Sequence, residues 1–383
     1  MILKSTPWSA LWTFPSILIS AFVIAWGAEA AQFLISQGLA LAILAWLQTL
    51  PEFAVEAVIA WNAGKDPSQT HLAIANFTGS LRLLVGLGWP MIYFVAAIFG
   101  WKRNRRFINI DLEEEHSIEI FGLLVPIAYF VVIWWKGSLS VWDAIPLAGS
   151  YVLYLWVLWK IPPRKAEEES LEDVGGIPRA VVRMRPVPRA VSIFALFAVG
   201  GGVLYAAAHP FLESMLAIAA SLGVSTFVFV QWVAPFLSEF PEKLSAFYWA
   251  RKVSTANVAL MNMVSSNINQ WSILSAMIPI LFVISAGQLR PLVFDELQRN
   301  EILLTILQSF LGFLLLLNLQ LKLHEAAILF TFWFVQFVVP PWREAMIYVY
   351  LAWCIIELVR LALSREAPPA WRALRTTLAA RFA

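Results

Sequence analysis

Twice in this chain a Pro-Glu pair stands inside an apolar run and is followed, about two dozen residues on, by Asn-x-x-(Gly/Ser)-Ser. The first copy is Pro51-Glu52 with Asn76-Phe77-Thr78-Gly79-Ser80, and the second is Pro241-Glu242 with Asn262-Met263-Val264-Ser265-Ser266. A carboxylate inside a membrane helix is costly and faces the bundle interior, so each glutamate must turn inward. A duplicated helix broken by proline is expected where two repeats meet around the ion site of a transporter.

The runs around these motifs recur along nearly the whole chain. Of 383 residues, 60% are hydrophobic and only 14% charged, where a soluble domain carries about 25% charge. Spans are predicted near 8–26, 33–63, 70–99, 117–135 and 139–160, then near 191–208, 212–250, 255–286, 301–319 and 325–339, with an eleventh at 343–363. The chain is therefore read as an all-α polytopic membrane protein. Residues 1–162 form a first unit of five helices and 191–340 a second, joined by a cytoplasmic linker over 163–190. An extra helix and a tail occupy 341–383. An odd number of spans per unit turns the second copy upside down, which gives inverted-topology repeats. The repeat continues into 137–143 and 318–325, which align if one residue is inserted. The second and third spans of each unit exceed a single crossing, so they are expected to be tilted or broken.

Orientation follows from the basic residues. The side holding 100–116, 160–190, 251–252, Lys322 and the C-terminal tail carries most of the 27 Lys and Arg, which makes it cytoplasmic. The N-terminus then lies outside and the C-terminus inside, in the cell (inner) membrane. Lys4, the apolar run 11–26 and Ala28-Glu29-Ala30 mimic a secretory signal. Because the repeat requires a first helix, that run is read as retained. The linker is acidic in its first part (Glu167, Glu168, Glu169, Glu172, Asp173) and basic in its second (Arg179, Arg183, Arg185, Arg189). Pro178, Pro186 and Pro188 argue against a long helix there, so a solvated connector is expected, with its basic half able to touch anionic headgroups.

A net charge of +2 gives no reason to expect nucleic acid. The single Cys354 offers no disulfide framework. No Gly-rich phosphate loop, Cys/His cluster or Ser/His/Asp arrangement is evident, so neither an enzyme nor a cofactor is expected. The expected partners are the lipid bilayer and transported cations; the sequence does not speak to oligomeric state. His71, His116 and His209 read as isolated positions near loops, and Asp143, His324 and Glu325 as interfacial residues at span ends. The tryptophans read as aromatic belts and lipid-facing packing.

The motifs supply oxygen. Pro51 and Pro241 lack an N–H, so the carbonyls of Leu47 and Leu237 are expected to lose their helical partners one turn before Glu52 and Glu242. Gln48, Thr49 and Ser238 stand nearby. A hard cation such as Ca²⁺ takes six to eight oxygens, typically from carboxylates, carbonyls and water, and two facing carboxylates can compensate a divalent charge. Asn262, Ser265, Ser266 and Asn269 form one stripe at i, i+3, i+4 and i+7; Asn76, Gly79, Ser80 and Leu83 form its less polar counterpart. Their small members also allow close helix packing. Four further charges crowd the site. Glu56 shares the face of Glu52, Glu239 is placed to pair with Lys243, and Arg82 either pairs with Glu52 or Glu56 or stands where a monovalent cation would. The local sum is −2 if all ionise, and clustered carboxylates in low dielectric make proton uptake a coupling reaction to expect.

At these residues the chain resembles the sodium/calcium exchanger (cation/calcium antiporter) superfamily. That family has two inverted repeats, each with Gly-Thr-Ser-x-Pro-Glu in one helix and Gly-Asn-x-x-Gly-Ser-Asn in the next. Here the first repeat reads Leu47-Gln48-Thr49-Leu50-Pro51-Glu52 and Ala75-Asn76-Phe77-Thr78-Gly79-Ser80-Leu81. The second reads Leu237-Ser238-Glu239-Phe240-Pro241-Glu242 and Met261-Asn262-Met263-Val264-Ser265-Ser266-Asn267. The resemblance covers about 8–340 and implies that Glu52 and Glu242 bind the metal cation and that Asn267 is the second-motif Asn. The first-motif Asn falls on Leu81, followed by Arg82. The expected activity is exchange of Ca²⁺, or a related cation, for Na⁺ or H⁺ by alternating access at mid-membrane. Asn76, Ser80, Asn262, Ser266, Asn267, Thr49 and Ser238 would complete or shape the shell. The alternative is an exchanger scaffold that has lost transport and serves a structural or sensing role.

Overall fold

A computed structural model describes residues 7–102, 109–163, 175–221, 223, 229–364 and 366–382. The first unit begins with α1 (Ala10–Ala31). Its second span is two helices, α2 (Gln37–Gln48) and α3 (Leu50–Lys65), meeting at a 48° bend. Pro51 sits in the first turn of α3, where its missing N–H would be unpaired in any case. The N–H of Thr49 closes the end of α2 on the Ala45 carbonyl, at 2.9 Å.

The third span runs from α4 (Thr70–Leu83) through one π turn (Leu84–Gly88) into α5 (Trp89–Lys102). Strand β1 (Asn109–Asp111), α6 (Ser117–Lys136), β2 (Ser138–Leu139) and α7 (Ala144–Trp159) complete the unit. After α8 (Gly176–Val182) comes the long α9 (Pro186–Ser221).

The second unit repeats the plan. A π turn (Phe229–Val233) leads into α10 (Ala234–Ser238), and α11 (Phe240–Ala250) follows with Pro241 in its first turn. The Glu239 N–H closes this break as Thr49 closes the other, facing the carbonyls of Pro235, at 3.0 Å, and Leu237. Then come α12 (Ala256–Asn269), a π turn (Gln270–Leu274), α13 (Ser275–Ala286), β3 (Leu292–Val293), α14 (Glu296–Leu316), β4 (Gln320–Lys322) and α15 (Leu323–Val338). The extra helix is α16 (Arg343–Leu363), and α17 (Pro369–Phe382) follows it. Among the described residues, eight helices are long and apolar enough to cross a bilayer, nine with the bent α2–α3 pair, and α15 is shorter.

Inversion is visible in three pairings. The two π turns after the motif helices start at Leu84 and Gln270, each eight positions past the motif Asn. β1 pairs antiparallel with β4, and β2 with β3, so each half completes the other's sheet at opposite ends of α6. Asp143 accepts from the Ser140 N–H at 2.6 Å, and Glu325 accepts from the Lys322 N–H at 2.8 Å, at matching places before α7 and α15. These two carboxylates, both 2% exposed, cap the starts of α7 and α15 at the span ends, and His324 beside Glu325 is exposed.

Packing also runs between the halves: α1 lies on α9, α2 on α12, α3 on α13 and α4 on α14. The motif helices α4 and α12 are buried along almost their whole length. Trp8, Trp101, Trp135, Trp142, Trp159 and Trp342 are exposed near span ends, as belts require, but Trp89, Trp249 and Trp271 fill the core. The acidic part of the linker lies outside the described residues. In its basic part Pro186 and Pro188 open α9 instead of interrupting it, and Val181 and Val182 of α8 are buried against Ala30, Ala31 and Phe33.

Candidate functional site

Glu52 enters from the first turn of α3, and its two oxygens meet opposite halves of the molecule. Oε1 accepts from Asn76 Nδ2 of α4 at 2.9 Å, and Oε2 accepts from Ser238 Oγ of α10. The second amide hydrogen of Asn76 goes to Glu56 Oε2 at 2.6 Å. One amide thus holds two carboxylates that a helical turn had already placed on one face. All four side chains are fully buried.

Glu239 occupies the break between α10 and α11, the place that Thr49 holds in the first half. Its Oε1 accepts from Ser80 Oγ of α4 and from Gln270 Nε2 at 3.2 Å. Its Oε2 receives Lys243 Nζ at 2.6 Å, which is the ion pair expected from their spacing. Thr49 itself accepts from Asn269 Nδ2 at 2.6 Å. Asn262 Nδ2 donates to Gln48 Oε1 at 3.3 Å, while Gln48 Nε2 donates to Ser245 Oγ at 2.5 Å.

Glu242 differs from the others. Glu52, Glu239 and Lys243 are within its electrostatic reach and Ser266 stands beside it, yet neither carboxylate oxygen has a hydrogen-bond partner. Glu56 Oε1, Asn76 Oδ1, Asn262 Oδ1, Ser266 Oγ, Asn267 Oδ1 and Asn269 Oδ1 are also buried without one. All of these atoms are oxygens. The amide nitrogens of the four asparagines face protein acceptors and leave their oxygens over. A buried acceptor without a donor costs about 1–3 kcal/mol. Such a set is stabilised by a cation, or by protons on the carboxylates.

Arg82 does not belong to this cluster. It was expected beside Glu52 or Glu56, or in the place of a monovalent cation. Instead its guanidinium leaves α4 on the other side, paired with Glu301 of α14. It donates to Gln336 Oε1 at 3.0 Å and lies 5.3 Å over the Trp232 ring. Arg343 of α16 takes the second Glu301 oxygen at 3.1 Å. Among the described residues the site therefore holds Glu52, Glu56, Glu239 and Glu242 against Lys243 alone, a sum of −3 if all ionise.

Close approach of the halves depends on Gly79. A Cβ there would overlap the carbonyl oxygen of Gln231 in the π turn before α10. Two members of the cluster escaped the sequence reading, Gln270 and Ser245. Gln270 extends the stripe of Asn262 and Ser266 by one more turn, so that signal was present. Ser245 carries none, since it is set by the tertiary approach of α2.

The model of the family described as "Sodium/calcium exchanger protein" matches residues 5–160 and 192–340. The crystal structure of the H⁺/Ca²⁺ exchanger CAX is similar over 96% of this chain and 90% of that one, with 31% identity and a TM-score of 0.79. The sodium–calcium exchanger NCX_Mj, soaked with 2.5 mM Na⁺ and 10 mM Sr²⁺, shares the fold over 86% of this chain and 97% of its own, with 18% identity and a TM-score of 0.64. No curated protein sequence matches the chain. The chain belongs to the sodium/calcium exchanger family, with the inverted repeats and cation/calcium antiport of that family.

Proposed function

We propose that this family member is a secondary antiporter that exchanges Ca²⁺ for H⁺ at a carboxylate site near mid-membrane. The observation that carries the reading is the surplus of buried oxygen around Glu242. Both its own oxygens stand without donors, the amide oxygens of Asn262 and Asn267 on the motif helix α12 are likewise unmatched, and Glu52, Glu239 and Lys243 are within its electrostatic reach. A hard divalent cation is satisfied by such a set. Glu52 and Glu242 are its charged ligands in this proposal. Asn76, Ser80, Asn262, Ser266, Asn267, Thr49 and Ser238 complete or shape the shell, and Glu56, Glu239 and Lys243 set the local charge.

Protons are favoured over Na⁺ by two features. In the first repeat Leu81, which cannot ligate, stands at the place of the motif Asn. The carboxylates left in excess are groups that protons can occupy when the metal leaves. The relative with 31% identity is an H⁺/Ca²⁺ exchanger. Competing ions then share the same carboxylates, and rocking of one helix group against the other opens the site to each side in turn. In this reading the chain lies in the cell (inner) membrane with its C-terminus cytoplasmic.

The test is radioactive Ca²⁺ uptake into liposomes holding the purified chain, under a pH gradient, a Na⁺ gradient or neither. Uptake driven by the pH gradient, and lost in Glu52→Gln and Glu242→Gln, is the expected result. Uptake that follows only the Na⁺ gradient overturns the counter-ion. No uptake under any gradient favours the scaffold without transport.

A further inference from the structure

Buried titratable side chains also gather at the start of α6, away from the carboxylate site. His116 and Glu119 are 0% and 1% exposed, with Nδ1 and Oε1 3.8 Å apart. His116, read from the sequence as isolated near a loop, is thus an interior residue. Both its ring nitrogens, Ser117 Oγ, Glu119 Oε2 and both polar atoms of Gln37 are buried without a hydrogen-bond partner. Glu119 Oε1 lies against Gly38 at the start of α2, where a Cβ would overlap it. The carboxylate is therefore fixed between α2 and α6.

The cluster leads inward. Glu119 is within electrostatic reach of Tyr154 of α7, and the Tyr154 hydroxyl stands 3.1 Å from Ser265 Oγ of α12. Ser265 is the neighbour of Ser266 and one turn from Asn262, both at the carboxylate site. At the outer end, Glu113 and Glu115 act on His116 from its own segment. Among the described residues, the other charged or titratable groups on the elements packed against this segment are Tyr151 of α7, Glu296, Arg299 and Glu301 of α14, and Arg372, Arg375 and Arg381 of α17.

We propose that His116, Glu119, Tyr154 and Ser265 form a proton branch between the Glu113–Glu115 end of the bundle and the Glu242 site, separate from the route of the metal cation. The proposal rests on the Ca²⁺/H⁺ reading above. An imidazole takes up and gives back protons near neutral pH, and the Glu119 carboxylate beside it supplies an acceptor oxygen. The Tyr154 and Ser265 hydroxyls each accept one hydrogen and release one, so a proton advances without leaving a charge on either. Tyr154 and Glu119 share no direct hydrogen bond, so the branch requires a water between them, held by the buried polar atoms that lack protein partners. A proton taken up by His116 is delivered to the carboxylate cluster, and the reverse flow needs no other reactant.

The branch is tested with the full chain in liposomes by two assays. One is Ca²⁺ uptake driven by a pH gradient. The other is isotopic Ca²⁺/Ca²⁺ exchange, which uses the same metal site and moves no protons. Tyr154→Phe, which removes one oxygen, and Glu119→Gln are expected to slow the first about tenfold or more and to leave the second within about twofold, as for groups outside the metal shell. Equal loss in both assays means a structural role and overturns the branch, as does unchanged uptake in both variants. A wild-type chain that performs Ca²⁺/Ca²⁺ exchange but ignores the pH gradient sinks the Ca²⁺/H⁺ reading and the branch with it. Normal wild-type uptake with unaffected variants sinks the branch alone.

Discussion

Ser238 of the second half donates its hydroxyl hydrogen to Glu52 of the first. Ser80 of the first half donates to Glu239 of the second. Each half thus fixes a carboxylate that belongs to the other, and the site exists only where the two meet.

The two motif glutamates are expected to be indispensable. Replacing either by Gln keeps the shape and removes the charge, and a charged contact worth about 3 kcal/mol corresponds to about 100-fold in Ca²⁺ affinity. Isothermal titration of Glu52→Gln and Glu242→Gln measures this. Affinity within about threefold of wild type, less than the smallest charged contact of about 1.5 kcal/mol, would remove both from the shell.

Protons and Ca²⁺ are expected to compete at these carboxylates. Deprotonated ligands bind the metal, so apparent affinity must fall as pH falls, by about tenfold per unit for each proton displaced. The slope of log Kd against pH counts those protons. A flat profile between pH 5 and 8 would contradict proton coupling, since that is the range over which competition is read.

Arg82 is expected to matter for stability and not for the ion. Glu301→Gln leaves the buried guanidinium without the carboxylate it pairs with, a change that costs about 3–5 kcal/mol. The melting temperature in detergent should drop sharply while Ca²⁺ affinity of the folded fraction holds. A selective change in affinity with normal melting would return Arg82 to the site.

Gly79→Ala is expected to push α4 off the Gln231 carbonyl it now touches. Overpacking of this kind costs about 1–3 kcal/mol, and here the obstacle is backbone, which cannot rotate away. Thermal unfolding reports the loss, and wild-type melting would mean that the two segments are farther apart.

Membrane orientation is open to a labelling test. Single cysteines placed by Ser68→Cys and Ser254→Cys sit in exposed turns at opposite ends of the bundle, and native Cys354 is buried. An impermeant maleimide added to intact cells should reach the first and not the second. The reverse pattern would invert the proposed topology.

Much of this architecture was legible from residue pattern. The duplicated Pro-Glu and Asn-x-x-(Gly/Ser)-Ser motifs located both broken spans, and the Glu239–Lys243 pair followed from helical spacing. Contacts between distant spans were not legible. Arg82 finds Glu301, far along the sequence, because α4 packs on α14, and no local rule names that neighbour. His116 looked like a loop residue because its turn is covered by α17, which lies at the far end of the chain. The paired π turns left no signal either, since one extra residue in a helical turn does not disturb an apolar run.

The crossed strands carry a lesson for biogenesis. While the ribosome has released only the first half, β1 and β2 have no mates, and Glu52 has yet to receive Ser238. An isolated N-terminal fragment would therefore expose unpaired edges at both ends of α6 and leave one Glu52 oxygen without its donor. Neither half is structurally complete alone, because strand partners and carboxylate donors are exchanged between them.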